Sequence, residues 1–118
     1  MRFGDLVKMD EEGAAKHKPH IEVPSRAKAG EEVKLRIHVG REVAHPNTVE
    51  HHIKWIQVFL QEDERPYPVH LATIDLGPSY GEPKVELSLK LKRSCTIWVL
   101  SYCNLHGLWE NHAKVEVE

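Results

Sequence analysis

The sequence predicts an all-β fold, an immunoglobulin-like antiparallel β-sandwich of about seven strands. Three observations support it: two segments alternate apolar and polar residues, further apolar segments are short, and turn-forming Gly and Pro residues separate them. The chain has 118 residues, of which 41% are hydrophobic and 29% charged. We therefore expect one domain over residues 1–118 with a buried core.

The strands follow from the pattern of each segment. Residues 33–39 and 85–91 have an apolar side chain at every second position, as in strands with one face on a core and the other in water. Residues 53–60 and 96–102 are more continuously apolar, which is typical of central strands. Shorter candidates and turns complete the sandwich, with strands at 21–23, 69–76 and 113–117 and turns at 29–31, 65–68, 77–83 and 106–107. Only the first dozen residues could hold a short helix.

Charge and hydropathy exclude several function classes. The 16 basic and 18 acidic residues give a net charge of -2, which argues against nucleic acid as a partner. No apolar stretch approaches the roughly 20 residues of a membrane span, and the N-terminus does not resemble a signal peptide. We predict a cytoplasmic protein without membrane or nucleic-acid partners.

The two cysteines stand at opposite ends of one predicted strand. Cys95 and Cys103 are eight residues apart, or about 26 Å along an extended chain. A disulfide requires Cα atoms within about 7 Å, so these two cannot pair. Free cysteines are consistent with a reducing compartment, and Cys95 is expected to be a small buried apolar residue.

Histidine is unusually frequent, with nine residues, three of them within the predicted loop 44–52. Cys103 and His106 form a Cys-x-x-His pair after a central strand, a spacing that allows both side chains to bind one ion. Together with a histidine near the N-terminus, three loops supply five candidate metal ligands: His17, His45, His51, Cys103 and His106. This number exceeds a closed tetrahedral zinc site and indicates a larger coordination shell with one open position.

Three motifs that carry these ligands resemble the superoxide reductases, specifically the one-iron neelaredoxin type. The first is Lys16-His17-x-Pro19. The second runs from Val39 to Trp55 and includes His45-Pro46-Asn47-Thr48 and Glu50-His51-His52. The third is Ser101-Tyr102-Cys103-Asn104-x-His106-Gly107-Leu108-Trp109. The resemblance spans almost the whole chain in order, with residues 1–20 as an N-terminal segment that carries one ligand. The four-cysteine iron domain of two-iron relatives is not expected.

The resemblance implies a mononuclear Fe²⁺/Fe³⁺ centre with four equatorial imidazoles, from His17, His45, His51 and His106, and an axial Cys103 thiolate. It implies one-electron reduction of superoxide to hydrogen peroxide at the remaining position. Lys16 matches the family lysine that attracts superoxide, a catalytic role. A rubredoxin-like electron donor and a homo-oligomer, a dimer or tetramer, are further implications.

One position departs from the family pattern. A glutamate that binds the oxidised iron usually precedes the Lys-His pair, whereas this chain has Ala15. Glu11 and Glu12 are near in sequence and could replace it if the loop folds back, although a solvated acidic segment is the favoured interpretation. The ferric site is therefore predicted to lack a carboxylate ligand.

Two alternatives use the same residues. A type-1 copper electron-transfer protein would explain a Cys-x-x-His loop on a β-sandwich, but it needs an axial Met after the last His, and the methionines are Met1 and Met9. A structural zinc domain would leave ligands unexplained. Around the site, we expect His52 to bond a neighbour, Asn47 to fix its own turn, and Trp55 and Trp109 to pack against the ligands. Trp98 is expected in the core.

Overall fold

A computed structural model describes all 118 residues and confirms the predicted fold class. A 3₁₀ helix spans Phe3–Leu6, and one turn of α-helix, α1, spans Ala14–His17. The eight strands are β1 (Pro19–Glu22), β2 (Arg26–Ala27), β3 (Glu32–Val39), β4 (Ile53–Glu62), β5 (Val69–Asp75), β6 (Lys84–Lys90), β7 (Cys95–Cys103) and β8 (Gly107–Val117). No helix is long and apolar enough to cross a membrane.

The strands form two sheets. One has the order β1-β3-β6 and the other β2-β8-β7-β4-β5. All neighbours are antiparallel except β2, which runs parallel to the end of β8. This parallel pair is the one departure from the antiparallel arrangement expected.

The hydrophobic core lies between the two sheets. In β3 the side chains of Val33, Leu35, Ile37 and Val39 are buried while those between them face outward, as the alternation predicts. Every second residue of β7, from Cys95 to Cys103, is likewise buried. Both cysteines are free thiols, as expected from their places at opposite ends of one strand.

Three local expectations were wrong. β8 begins at Gly107 rather than at 113, and it pairs along the whole of β7. The prediction missed its first half because Glu110, Asn111 and His112 interrupt the apolar alternation. The α-helical turn comes just after the first dozen residues, and the two-residue β2 is too short to leave a pattern. Trp98 is half-buried on the outer face, where it lies against His112 and its indole N–H donates to Gln61.

The topology brings the predicted ligand segments to one end of the sandwich. β4 begins beside the end of β7, with Ile53 opposite Cys103, and β1 begins beside the end of β3, with Pro19 opposite Val39. α1, the loop 40–52 and the turn between β7 and β8 therefore lie near one another, and each carries at least one candidate ligand.

Candidate metal centre

Four side chains that could hold a metal ion lie together at this end. Their ligand atoms are all within 4.8 Å of one another, and they belong to His17, His45, His51 and Cys103. His106 borders the group, because its Nδ1 lies 3.7 Å from the Cys103 Sγ and its ring centroid lies 4.9 Å from that of His17. The structure thus brings together all five residues that the sequence singled out, and their roles as ligands remain a prediction.

Three nitrogens of this cluster are buried without a hydrogen-bond partner: Nε2 of His17, of His45 and of His51. Leaving one buried polar atom unpaired costs about 1–3 kcal/mol, so three in one place need an explanation. A metal ion would pair with all three lone pairs. Imidazole and thiolate donors suit iron, copper or zinc rather than calcium or magnesium, so the residues present fit a transition-metal ion.

Backbone carbonyls fix the proton of two of these imidazoles. The Nδ1 of His17 lies 2.9 Å from the Gly13 carbonyl oxygen, and the Nδ1 of His45 lies 2.6 Å from that of Pro46. Because a carbonyl oxygen can only accept, each Nδ1 carries the proton and donates it, which leaves the Nε2 lone pair free. Histidines that bind metals typically have their second nitrogen held in this way.

Burial also keeps these rings uncharged. Desolvation is the main cause that lowers the pKa of His17, His45 and His51, and the pKa of His45 falls to about 4. The carbonyls of Gly13 and Pro46 oppose the shift and are outweighed. Neutral imidazole is the form that binds a metal ion, so no proton has to be removed at neutral pH.

The cluster is more open on one side. Cys103 is fully buried, and His17 and His45 are also buried. By contrast, His51 is half-buried and His106 is exposed. A small molecule would reach the cluster from the side of these last two rings.

Gly13 shapes the segment that carries His17. Its φ of +98° is in the left-handed region, where glycine is favoured. A Cβ at this position would lie 3.4 Å from His17 Nδ1 and 3.5 Å from the Trp109 ring. Trp109 is buried and stacks on His17 as the sequence predicted, so this imidazole is enclosed between a backbone carbonyl and an indole.

The loop 40–52 positions two histidines by local contacts. At Gly40, with φ +87°, a Cβ would lie only 2.6 Å from the His45 backbone nitrogen, so a larger residue would displace this loop. Further along, the His51 N–H donates to Thr48 Oγ1 at 3.1 Å. His52 Nδ1 lies 3.0 Å from the Thr48 carbonyl oxygen, which confirms the expectation that His52 bonds a neighbour.

Asn104 is a residue of the site that the sequence reasoning did not identify. Its Nδ2 donates to the Glu50 carbonyl at 2.9 Å, and its Oδ1 accepts the His52 N–H at 2.9 Å. Its own N–H donates to the His52 carbonyl at 3.2 Å. Together these three hydrogen bonds hold the segment of Glu50 and His52, which carries His51, against the turn that follows Cys103. The sequence signals were its place between Cys103 and His106 and its presence in the third motif, neither of which gave it a role.

Lys16 is exposed and takes part in no ion pair. Its positive charge is among the causes that lower the pKa of both His17 and His51, so its field reaches the cluster. The neighbouring Lys18 differs, because its Nζ lies 2.6 Å from an Asp10 carboxylate oxygen. Lys16 is therefore the uncompensated cation of this segment.

No carboxylate belongs to the cluster. Ala15 is exposed on α1, and its carbonyl accepts the Val43 N–H at 3.4 Å. Glu11 is also exposed, and its carboxylate accepts the Met9 N–H at 2.8 Å, a type of contact that lowers its pKa. The exposure of Glu11 and its local hydrogen bond favour a solvated acidic segment, and the ferric ligand set stays a prediction.

Two side chains near the site have different contacts from those predicted. Asn47 does not fix its own turn: its Oδ1 accepts the Ser79 N–H and its Nδ2 donates to the Gly81 carbonyl, so it joins its loop to residues 77–83. Trp55 stacks on Tyr102, with ring centroids 5.5 Å apart, rather than on a cluster imidazole.

The chain resembles one family along most of its length. The desulfoferrodoxin family model matches residues 9–112. The superoxide reductase of Pyrococcus abyssi is 36% identical, with 95% of this chain and 97% of the relative aligned. The neelaredoxin of Megalodesulfovibrio gigas is 28% identical over the full length of both chains.

Solved structures agree with this similarity. A superoxide reductase (neelaredoxin) from Ignicoccus hospitalis superimposes with a TM-score of 0.92 at 40% identity, covering 100% of both chains. A neelaredoxin from Archaeoglobus fulgidus in the reduced form gives a TM-score of 0.81 at 33% identity, with 94% of this chain and 98% of that one covered.

Proposed function

We propose, from the premise that this chain belongs to the desulfoferrodoxin family and is a superoxide reductase of the neelaredoxin type, that it works at a single bound iron ion. The ligands in this proposal are the thiolate of Cys103 and the imidazoles of His17, His45, His51 and His106. The observation that supports it most strongly is the set of three buried, unpaired Nε2 atoms beside the Cys103 sulfur.

The reaction sets the requirements of the site. Superoxide accepts one electron and two protons to become hydrogen peroxide, so the site needs an electron, an accessible position and protons. Iron supplies the electron when bound by passing from the ferrous to the ferric state, which zinc cannot do. The protein has to hold the ion, attract the anion and admit protons.

The imidazoles and the thiolate hold the ion, and the two kinds of ligand contribute differently. Neutral rings bind without cancelling the positive charge of the ion, which keeps the site attractive to an anion. The Gly13 and Pro46 carbonyls hold two rings in the tautomer that leaves Nε2 free. The buried Cys103 sulfur donates electron density, the role that a thiolate has in some haem proteins.

Lys16 attracts the superoxide anion. Because it is exposed and unpaired, its charge is not cancelled, and its field acts on His17 and His51. A local cation of this kind can raise the association rate of a small anion by about 10-fold or more. Protons come from solvent on the side of His51 and His106, because no carboxylate belongs to the cluster.

The type-1 copper alternative is not favoured. Five nitrogen and sulfur donors are available here, whereas a blue-copper site uses two histidines, one cysteine and a weak axial ligand. Neither methionine follows His106 in the sequence, so the usual axial ligand is missing.

The family resemblance further leads us to propose a rubredoxin-like electron donor and a homodimer or homotetramer. The sequence leads us to propose a cytoplasmic location and a single domain over residues 1–118.

Metal analysis, optical spectroscopy and a superoxide assay test the proposal together. We expect one iron per chain, a thiolate-to-iron absorption band that bleaches on reduction, and superoxide consumption with an external reductant that releases hydrogen peroxide without dioxygen. A colourless zinc protein, an intense blue copper band, or release of dioxygen from superoxide would contradict it.

A further inference from the structure

Three nitrogen-bearing side chains form a row across the outer face of the β1-β3-β6 sheet. His20 lies directly opposite His38, and His38 lies directly opposite Lys84. Residues directly opposite on neighbouring strands project from the same face, so the three side chains are adjacent. The row contains no acidic residue.

The neighbouring rows of the same face are different. In the next row Arg36 stands between Glu22 and Glu86, and its Nε donates to Glu86 at 2.9 Å. Further along the face, Glu32 stands opposite Lys90. Opposite charges across a pair of strands stabilise a sheet, whereas like charges destabilise it. The row of His20, His38 and Lys84 has no such pair of opposite charges, so the positive charge of Lys84 is not compensated within its own row.

A fourth basic group joins this row from outside the sheet. Arg41 follows the end of β3 after the turn at Gly40, and it lines a cavity of about 360 Å³ together with His20, His38 and Lys84. Neither Arg41 nor Lys84 has an ion-pair partner.

Arg36, Glu22 and Glu86 also line this cavity, but the two acids are engaged elsewhere and do not balance Arg41 and Lys84. Glu86 is engaged by Arg36, and a carboxylate oxygen of Glu22 lies 3.6 Å from His20 Nε2. Burial is the largest cause that lowers the pKa of His38, and Lys84, His20 and Arg41 follow it in that order. Glu82 alone opposes the shift, and its effect is the smallest. The basic groups therefore converge on His38.

We propose that the cavity bounded by His20, His38, Arg41 and Lys84 is a binding site for a phosphate group. An arginine can donate two parallel hydrogen bonds to a phosphate, and a lysine adds a compact charge. The two imidazoles add N–H donors from a third direction. Inorganic phosphate and the phosphate ester of a small metabolite share this chemistry. The proposal is independent of the metal-ligand assignments.

Isothermal titration of the iron-loaded protein with inorganic phosphate tests it, with chloride used to keep the ionic strength constant. We expect saturable binding of one phosphate per chain. Arg41→Gln and Lys84→Gln should each weaken it by about 10-fold, because hydrogen bonds to charged groups contribute on that scale. Both side chains are exposed, so the variants should fold.

Lys90→Gln is the matched control, since it removes one positive charge from the same face, lies outside the cavity and, like Arg41 and Lys84, concerns a residue in no ion pair. It should change the affinity less than about 2-fold. A second titration with glycerol phosphate separates the two sources: tighter binding than inorganic phosphate would indicate a metabolite, and equal or weaker binding would indicate the free ion. No saturation below about 10 mM phosphate, or an equal loss in the control, would overturn the proposal.

Discussion

The indole of Trp109 lies almost parallel to the imidazole of His17, with the ring centroids 5.0 Å apart and an interplanar angle of 14°. The same indole donates its N–H to the His106 carbonyl at 3.3 Å. One buried side chain on β8 therefore contacts two ligand segments that are far apart in the sequence. The positions of these segments depend on one another as well as on the metal.

The two cysteines should differ sharply on substitution. Cys103→Ser removes the softest donor of the cluster, so we expect loss of the thiolate-to-iron band and impaired superoxide reduction. Cys95→Ser should leave both nearly intact, because Cys95 lies at the other end of β7 and burial raises the pKa of its thiol. Spectra of both variants after iron loading provide the measurement. Loss of the band in Cys95→Ser would show that the wrong sulfur has been assigned.

Lys16→Ala should slow the encounter with superoxide. We expect a second-order rate about 10-fold lower at low ionic strength, with iron retained and a weaker dependence of the rate on salt. Lys18→Ala is the matched control and should have the smaller effect, because the charge of Lys16, unlike that of Lys18, is among the causes that shift the pKa of His17 and His51. Pulse radiolysis at two salt concentrations measures both. Equal rates for Lys16→Ala and the wild type at low salt would remove the steering role.

Ala15→Glu should restore the carboxylate that the family usually has at this position. Without it, we expect solvent to supply the sixth ligand in the resting ferric state. The substitution should shift the ferric absorption band and change the initial encounter rate little. Ala14→Glu, one position earlier on α1, should leave the band unchanged. A ferric wild-type structure with Glu11 or Glu12 bonded to iron would contradict the solvent ligand.

Gly13→Ala should weaken metal binding through His17. The left-handed φ makes any Cβ unfavourable by about 1–2 kcal/mol. Relaxation of this backbone would move the Gly13 carbonyl, which accepts the hydrogen bond from His17 Nδ1. Gly30→Ala shares the first penalty, since its φ is +80°, but no atom lies within 4 Å of its added Cβ. Both variants should unfold more easily, and only Gly13→Ala should lose affinity for iron in a chelator competition. Equal iron affinity in the two would mean that this contact is unimportant.

Asn104→Ala should loosen the junction between the segments of His51 and Cys103. Three hydrogen bonds meet at this residue, and the substitution removes the two made by its side chain. We expect about 10-fold weaker iron binding, the lower end of the effect of removing supporting contacts at metal sites. Ser88→Ala, which removes a single exposed hydrogen bond to Lys34, is the control. Unchanged iron affinity in Asn104→Ala would show that these hydrogen bonds do not support the metal centre.

The sequence predicted the strands that alternate and the residues that share a motif. The alternation from Val33 to Val39 identified the buried face of β3 directly. The five candidate ligands could be identified because His and Cys are distinctive residue types. The contacts of Asn104 and Asn47 could not be predicted, because each bonds to backbone atoms of a segment distant in sequence. Trp98 was misplaced for a related reason: an aromatic residue in a central strand is equally compatible with either face until the register is known.

The spacing of the proposed ligands along the chain also bears on stability. Cys103 follows His17 by 86 residues. An ion bound by both would close a very long loop, which would restrict the unfolded chain much as a cross-link does. Iron depletion should consequently leave this protein vulnerable to proteolysis as well as inactive.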